Sequence, residues 1–176
     1  MDMSKISAGK DLPHDFNVVI EIPAQSDPVK YEVDKESGAL LVDRFIGTSM
    51  RYPANYGFIP QTLGDDGDPV DVCVITPFPL LAGSVIRCRP LGMLLMEDES
   101  GGMKMLAVPV QKLTPRYNKI QTIDDVPEDY LAQIRHFFEH YKDLEKGKWA
   151  KVSGWTGPEE ACKVIMKGVE AYNNAK

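Results

Sequence analysis

The chain has 176 residues, of which 43% are hydrophobic and 26% are charged, and its formal net charge at pH 7 is −6. This length and composition predict one globular domain over residues 1–176 with a sizeable core. The acidic balance disfavours nucleic acid or an anionic membrane as the main partner. It does not exclude a small anion, because clustered lysine and arginine residues or a bound divalent cation can reverse the local potential.

The compartment is predicted from the N-terminus and the cysteines. No run reaches the length of a membrane span, and the opening sequence MDMSKISAGKDLP lacks the apolar stretch of a secretory signal. Cys73, Cys88 and Cys162 are odd in number and widely spaced, which argues against a disulfide framework. We therefore expect a cytoplasmic protein whose cysteines are small core residues.

Short extended segments, separated by Gly, Pro and Asp, dominate the chain up to about residue 120. Ser37-Gly38 is a turn between two of them, Asp66–Pro69 is a second turn, and Glu99–Gly102 is a hairpin tip. So many short strands predict a small barrel or sandwich. The predicted strands are Phe16–Ile22, Val29–Val33, Leu40–Phe45, Val70–Ile75, Ser84–Met96 and Met103–Val110.

A helical period replaces the strand pattern after Pro127. Glu128 and Asp129 occupy the first turn of this helix, where negative charge is favourable. A second helix is predicted to begin near Thr156-Gly157-Pro158, because proline suits a first helical turn. The architecture is therefore a β-rich body with C-terminal helices packed against it. The apolar stripe of the first helix consists of Tyr130, Leu131, Ile134, Phe137, Phe138, Tyr141 and Leu144.

The sharpest chemical signal is the acidic turn, Asp65–Asp71, which precedes an apolar strand. Several carboxylates on one tight turn repel one another unless a cation is present, and hard oxygen ligands suit Mg²⁺, Mn²⁺ or Ca²⁺. A solvated acidic loop is the alternative interpretation, and an isolated turn of this kind does not decide between them. An EF-hand fits poorly, since Pro77 stands where the bidentate glutamate is needed.

Other charged and phenolic residues indicate a functional site only when they are considered together. Glu97-Asp98-Glu99 ends a strand, while Lys30 and Glu32 lie two apart and so share one strand face. Each is ordinarily a solvent-facing charge. The segment Arg51–Pro60 reads as an aromatic loop whose two tyrosines either pack or bind phosphate oxygens. The histidines show no zinc-binding spacing with cysteine.

Together these residues resemble the soluble family I inorganic pyrophosphatases of the short bacterial type, over nearly the whole chain. The aspartate motif before a strand is the most specific feature of the match. The matching segments are Ala8–Lys10, Glu21–Ala24, Lys30–Glu32, Val42–Phe45, Tyr52-Pro53, Asn55–Gly57, Asp66–Val72 and His136–Leu144.

The resemblance implies the fold, the reaction and the assembly. It implies an α+β protein built on a five-stranded OB-like β-barrel with flanking helices, several Mg²⁺ ions and a homohexamer. It also implies hydrolysis of diphosphate to two orthophosphates by a metal-activated water, with Mn²⁺ or another divalent ion as a substitute for Mg²⁺.

Individual roles follow from the same resemblance. Asp66, Asp71 and Asp98 match metal ligands, and Asp68 matches the general base that takes a proton from the attacking water. Glu21, Glu32 and Tyr52 match residues that line the same cavity. The diphosphate-binding set corresponds to Lys30, Arg44, Tyr56, Tyr141 and Lys142.

One hairpin departs from the family pattern. Relatives usually read Asp-Glu-x-Gly-x-Asp-x-Lys there, and their second aspartate is a metal ligand. This chain runs from Asp98 to Lys104 with one residue fewer, so that position falls on Gly102 or Met103. Neither supplies a carboxylate, and a thioether is a poor ligand for Mg²⁺.

Two other functions compete with diphosphate hydrolysis. OB-like barrels often bind oligonucleotides, although an acidic chain without a basic aromatic platform argues against such a binding module. The second alternative is a metal-dependent phosphoesterase that acts on nucleotides or organic phosphates. A substrate panel at one Mg²⁺ concentration separates it from a diphosphatase.

Overall fold

The computed structural model describes residues 1–99 and 101–176, so Ser100 in the predicted hairpin tip lies outside the described residues. Eight strands, two α-helices and three short 3-10 helices make up the described chain. No helix in this part of the chain is long and apolar enough to cross a membrane. The strands are β1 Phe16–Ile22, β2 Val29–Val33, β3 Leu40–Phe45, β4 Asn55–Phe58, β5 Asp71–Val74, β6 Val85–Asp98, β7 Lys104–Pro109 and β8 Ala150–Thr156.

Five strands close into a ring. The order is β1-β4-β5-β7-β6, and β1 also pairs with β6, which completes the barrel. All of these pairings are antiparallel except β5 with β7, which is parallel. The eighth strand extends the sheet by pairing with β6, while β2 and β3 form a separate hairpin. The α+β fold with an OB-like five-stranded ring is thus confirmed.

Two strands were not predicted. The first is β4, which lies within the segment predicted to be an aromatic loop. It was missed because the prolines on either side of it are typical of turns. Its Gly57 is required by packing, since a Cβ there would lie 1.9 Å from the carbonyl oxygen of Val19. The second is β8, whose partly exposed residues lack a regular apolar alternation. The prediction also ended β6 too early, since Glu97 and Asp98 still belong to this strand.

Both predicted helices are present. Helix α1 spans Glu128–His140 and begins directly after Pro127, and helix α2 spans Pro158–Asn174 with its proline in the first turn. The apolar face of α1 buries Ile134, Phe137 and Phe138 in a core cluster that also contains Leu94 and Val108 of the barrel. Helix α2 packs on β6 and covers a second core cluster that includes Val72, Met93 and Ile165.

The cysteines only partly match their prediction. Cys73 and Cys88 are buried in the two core clusters, and burial raises the pKa of the Cys73 thiol to about 12. Cys162 on α2 is only half-buried, because it lies at the border of the helix's apolar face. All three are free thiols.

Candidate active site

A polar cavity of about 110 Å³ lies where the acidic turn, the β2–β3 hairpin and the end of α1 meet the barrel. The fold brings there every predicted site residue except Arg44. Tyr31, Lys35, Phe58 and Lys104 also line it. The predicted residues in its wall are Glu21, Lys30, Glu32, Tyr52, Tyr56, Asp66, Asp68, Asp71, Asp98, Tyr141 and Lys142.

Two buried lysines neutralise the carboxylates of the barrel wall. Lys104 Nζ lies 2.8 Å from Asp71 Oδ2, and Lys142 Nζ lies 3.0 Å from Asp98 Oδ2. Burial alone would lower the pKa of Lys104, but the charge and hydrogen bond of Asp71 outweigh it and raise that pKa. Lys142 also donates to Glu99 Oε1 at 3.0 Å. These cations therefore stay charged within the cavity.

Lys104 was missed by the sequence analysis. It is the first residue of β7, a strand that is otherwise entirely apolar and buried. A buried lysine is costly unless it has a partner, so a single cation at the start of an all-buried strand is a signal that could have identified it. It pairs with Leu94 of β6, and its Nζ contacts Asp71 at the end of the acidic turn.

Aromatic rings form the floor of the cavity. The ring centroid of Tyr52 lies 5.1 Å from that of Tyr56 and 4.4 Å from that of Phe137. The ring of Tyr141 stacks on Phe137 with 4.8 Å between centroids. Burial raises the pKa values of Tyr52 and Tyr56 well above the usual range, so both phenols remain neutral hydrogen-bond donors. Tyr52 both packs and lines the cavity.

One backbone hydrogen bond fixes the carboxylate of Asp66 in the acidic turn. The backbone N–H of Asp68 donates to Asp66 Oδ1 at 3.0 Å, and Gly67 between them adopts a φ of +83°. Asp68 itself is exposed on this turn, at the edge of the cavity. Partial desolvation of its carboxylate, the largest influence, raises the pKa of Asp66, although the residue as a whole is exposed. Among residues 1–99 and 101–176, no three His, Cys, Asp or Glu side chains form a group that could hold a metal ion.

Glu21 joins the barrel to the β2–β3 hairpin. Its Oε2 accepts a hydrogen bond of 2.7 Å from the backbone N–H of Val33. Burial raises the pKa of this carboxyl to about 7, although the Val33 hydrogen bond acts in the opposite direction. Glu32, on the same hairpin, is exposed at the mouth of the cavity.

Arg44 does not line the cavity and is paired with Glu145. Its Nη1 lies 2.9 Å from Glu145 Oε1, in the segment that follows α1. Lys30, its direct partner across the β2–β3 hairpin, reaches the cavity wall and lies 3.6 Å from Asp43 Oδ2.

Comparison with known proteins gives the same answer from sequence and from structure. The model of the inorganic pyrophosphatase family matches residues 18–173. The inorganic pyrophosphatase of Ralstonia nicotianae is 64% identical over 98% of this chain and 99% of its own length. That of Escherichia coli K12 is 59% identical over 99% of both chains.

Solved structures agree along their full length. The inorganic pyrophosphatase from Coxiella burnetii superposes with a TM-score of 0.92 at 54% identity, covering 95% of this chain and 99% of its own. An inorganic phosphatase from Anaplasma phagocytophilum gives a TM-score of 0.95 at 47% identity, covering 96% and 99%. With a cavity lined by carboxylates, lysines and tyrosines on the same barrel, the chain belongs to the inorganic pyrophosphatase family and is an enzyme that hydrolyses diphosphate to two orthophosphates.

Proposed function

We propose that this chain hydrolyses diphosphate with Mg²⁺ as its metal and Asp68 as its general base. The observation that carries the proposal is the meeting of the acidic turn with Lys30, Lys104 and Lys142 in one cavity of about 110 Å³. Carboxylates suit divalent cations, while lysines suit phosphate oxygens. A diphosphate bound with its metals needs both kinds of group within a few ångströms.

The metal would be held by Asp66, Asp71 and Asp98, which must come closer together than they lie in the described residues, where no three such side chains form a metal-binding group. Membership of the family implies dependence on a divalent metal, and carboxylate oxygens fit the hard cation Mg²⁺. When bound, Mg²⁺ would lower the pKa of a water molecule and neutralise charge on the phosphoryl oxygens. Asp71 and Asp98 are each paired with a buried lysine, so each would replace part of its contact with that lysine by a contact with the metal.

Asp68 is suited to receive a proton. It is exposed on the acidic turn, and its backbone N–H is fixed by Asp66, which limits its movement. A carboxylate in contact with solvent accepts a proton from water at the cavity mouth and passes it to bulk solvent. A general base must reach the water that it deprotonates, and the exposure of Asp68 at the cavity edge supports this role.

The cations and phenols bind and orient the substrate. Lys30 and Lys142 line the cavity, as do Tyr56 and Tyr141, and we add Lys104 to the diphosphate-binding set. Arg44, which is paired with Glu145 outside the lining, would join them by turning towards the cavity. Positive charge from several directions aligns the phosphoryl group and stabilises the developing charge on the leaving phosphate. Glu21, Glu32 and Tyr52 complete the wall.

We also propose a homohexamer located in the cytoplasm. Exposed apolar side chains support an assembly that covers part of the surface: Phe45, Phe78 and Leu81 are each at least three-quarters exposed, at 76%, 77% and 82%. The free thiols support a reducing compartment. Sedimentation equilibrium of the purified chain measures the assembly, and fractionation of cells that express it measures the location.

Phosphate release from diphosphate tests the chemistry. The rate is measured with Mg²⁺, Mn²⁺ and Ca²⁺ in turn at equal free concentrations, and a nucleoside triphosphate and a phosphomonoester are tested under the same conditions. We expect the fastest release from diphosphate with Mg²⁺. Faster release from either organic phosphate with Mg²⁺ would contradict the substrate, and a chain that works only with another metal would contradict the choice of Mg²⁺.

A further inference from the structure

The β2–β3 hairpin places two cations directly opposite each other. Lys30 and Arg44 are register partners, so their side chains share one face of the hairpin. Like charges in this arrangement repel each other unless an anion compensates them. Here each has its own carboxylate, Asp43 for Lys30 and Glu145 for Arg44. A diphosphate anion between the two strands would compensate both cations at once.

The Arg44–Glu145 pair is close but incomplete. Its one short contact measures 2.9 Å, and the side chains are 20% and 17% exposed. Within the part of the chain that the structure describes, Arg44 Nε and Glu145 Oε2 are buried and have no hydrogen-bond partner. A guanidinium and a carboxylate usually form two parallel hydrogen bonds, so half of this capacity is unused. Such a half-satisfied pair is readily exchanged for a better acceptor.

Glu145 is well placed to compete with the substrate. Its backbone N–H donates to the carbonyl oxygen of Lys142 at 2.9 Å, so it lies on the same short segment as two cavity residues, Tyr141 and Lys142. Arg44 can therefore turn from Glu145 towards the cavity without a change in the fold, because its register partner Lys30 already reaches the cavity from the same face.

We propose that Glu145 is a positioning residue that holds Arg44 in the substrate-free enzyme and competes with diphosphate for its guanidinium. On binding, Arg44 exchanges the carboxylate for phosphate oxygens. After hydrolysis each product carries less charge than diphosphate and competes less well, so Glu145 recaptures Arg44 and favours product release. The proposal rests on the assignment of Arg44 to the diphosphate-binding set.

Substitution of Glu145 by glutamine tests the competition. Binding of methylenediphosphonate, a non-hydrolysable diphosphate analogue, is measured by calorimetry at constant free Mg²⁺ for wild type and Glu145→Gln. We expect the variant to bind about fivefold more tightly, as for removal of a partly exposed ion pair worth about 1 kcal/mol. Its KM for diphosphate should fall by a similar factor without a rise in kcat. A residue with only a structural role would not tighten binding when it is removed.

Two further variants separate charge from position. Glu139→Gln removes the same charge from the Arg135–Glu139 pair on α1, whose atoms lie 3.5 Å apart, and should leave analogue binding unchanged. Glu145→Asp keeps the charge but shortens its reach, so it should tighten binding by less than Glu145→Gln. Equal tightening by Glu139→Gln would mean that overall charge is responsible, and this would overturn the proposal.

The Arg44→Gln background distinguishes failure of the competition from failure of the site assignment. If Arg44 contacts substrate, Arg44→Gln weakens analogue binding. Adding Glu145→Gln to this variant then leaves the analogue affinity unchanged, because no guanidinium remains to be released. If Arg44→Gln weakens binding but Glu145→Gln does not tighten it, the competition is wrong and the role of Arg44 stands. If Arg44→Gln leaves binding unchanged, the assignment of Arg44 fails and the competition fails with it.

Discussion

The two sides of the cavity are built differently. The inner wall consists of Tyr56, Asp71, Asp98 and Lys104, supplied by adjoining strands of the barrel, and three of them are less than a tenth exposed. The outer wall consists of Lys30, Glu32 and Asp68, supplied by a separate hairpin and the acidic turn, and these are half-buried or exposed. Arg44 lies on the same hairpin, outside the lining. Inner-wall contacts are therefore part of the fold, while outer-wall contacts are exchangeable and available to the substrate.

The largest expected effect lies on the outer wall. Asp68→Asn should reduce kcat by about 10²–10⁴-fold, the usual cost of removing a general base. Its thermal midpoint should stay close to that of wild type, because the side chain is exposed and no core contact is lost. Turnover at saturating Mg²⁺ and thermal unfolding measure the two effects. Wild-type turnover would rule out the proposed role.

The next effect distinguishes the walls by stability. Lys104→Met leaves Asp71 without its buried cation and should lower the free energy of unfolding by about 3 kcal/mol. Lys30→Met is the matched control, since it breaks a looser and more exposed pair and should cost less than about 1 kcal/mol. Urea denaturation without metal measures both. Equal losses would break the distinction between the inner and outer walls.

The features that can be predicted from the sequence differ from those that depend on tertiary contacts. Both helices and four of the five ring strands could be predicted from local apolar patterns, whereas β4 was missed and most cavity residues were predicted from the family resemblance. The pairing of Arg44 with Glu145 could not, since the two residues meet only after α1 has packed against the barrel. Lys104 could have been identified as a lone cation at the start of an apolar strand, but its partner Asp71 could not, because the two residues meet only in the folded barrel.

Glu21, which joins the barrel to the β2–β3 hairpin, should make the stability of the protein depend on pH. Glu21 has a pKa raised to about 7, against 4.5 for an ordinary glutamate, so between these values the folded state holds a proton that the unfolded chain has lost. Wild-type stability should therefore fall as pH rises from about 4.5 to 7. The glutamine in Glu21→Gln cannot ionise, so the free energy of unfolding of this variant should exceed that of wild type by up to about 3 kcal/mol at pH 8. Urea denaturation at pH 5 and pH 8 measures this, and an equal difference at both pH values would contradict it.

A smaller effect is expected at Arg44. Arg44→Lys replaces a planar guanidinium, which can grip two phosphate oxygens, with a single point charge. The loss of one charged hydrogen bond should weaken binding of methylenediphosphonate by about tenfold. Unchanged analogue affinity together with unchanged turnover would count against a direct contact between Arg44 and the substrate.

The smallest effect concerns the shortened hairpin, where the inner wall meets the acidic turn. A Cβ built on Gly102 would lie 3.7 Å from Asp66 Oδ2 and 3.9 Å from Lys104 Nζ, so the hairpin approaches the proposed metal ligands without offering a carboxylate. One anionic ligand fewer weakens a site for a hard cation. We expect an active enzyme that needs severalfold more Mg²⁺ for half-maximal rate than a variant with Asp inserted between Gly102 and Met103.

Length and charge are separated by a second insertion. An Asn inserted at the same place restores the length of the hairpin without the carboxylate, and it should leave the Mg²⁺ midpoint near that of wild type. Mg²⁺ titration at fixed free diphosphate gives the kinetic midpoint, and the rise in thermal midpoint with Mg²⁺ reports binding without turnover. If the Asp insertion moves neither quantity, the hairpin does not reach the metal. If both insertions move them equally, the position of the hairpin matters and its charge does not, because only the Asp variant adds an anion beside Asp66.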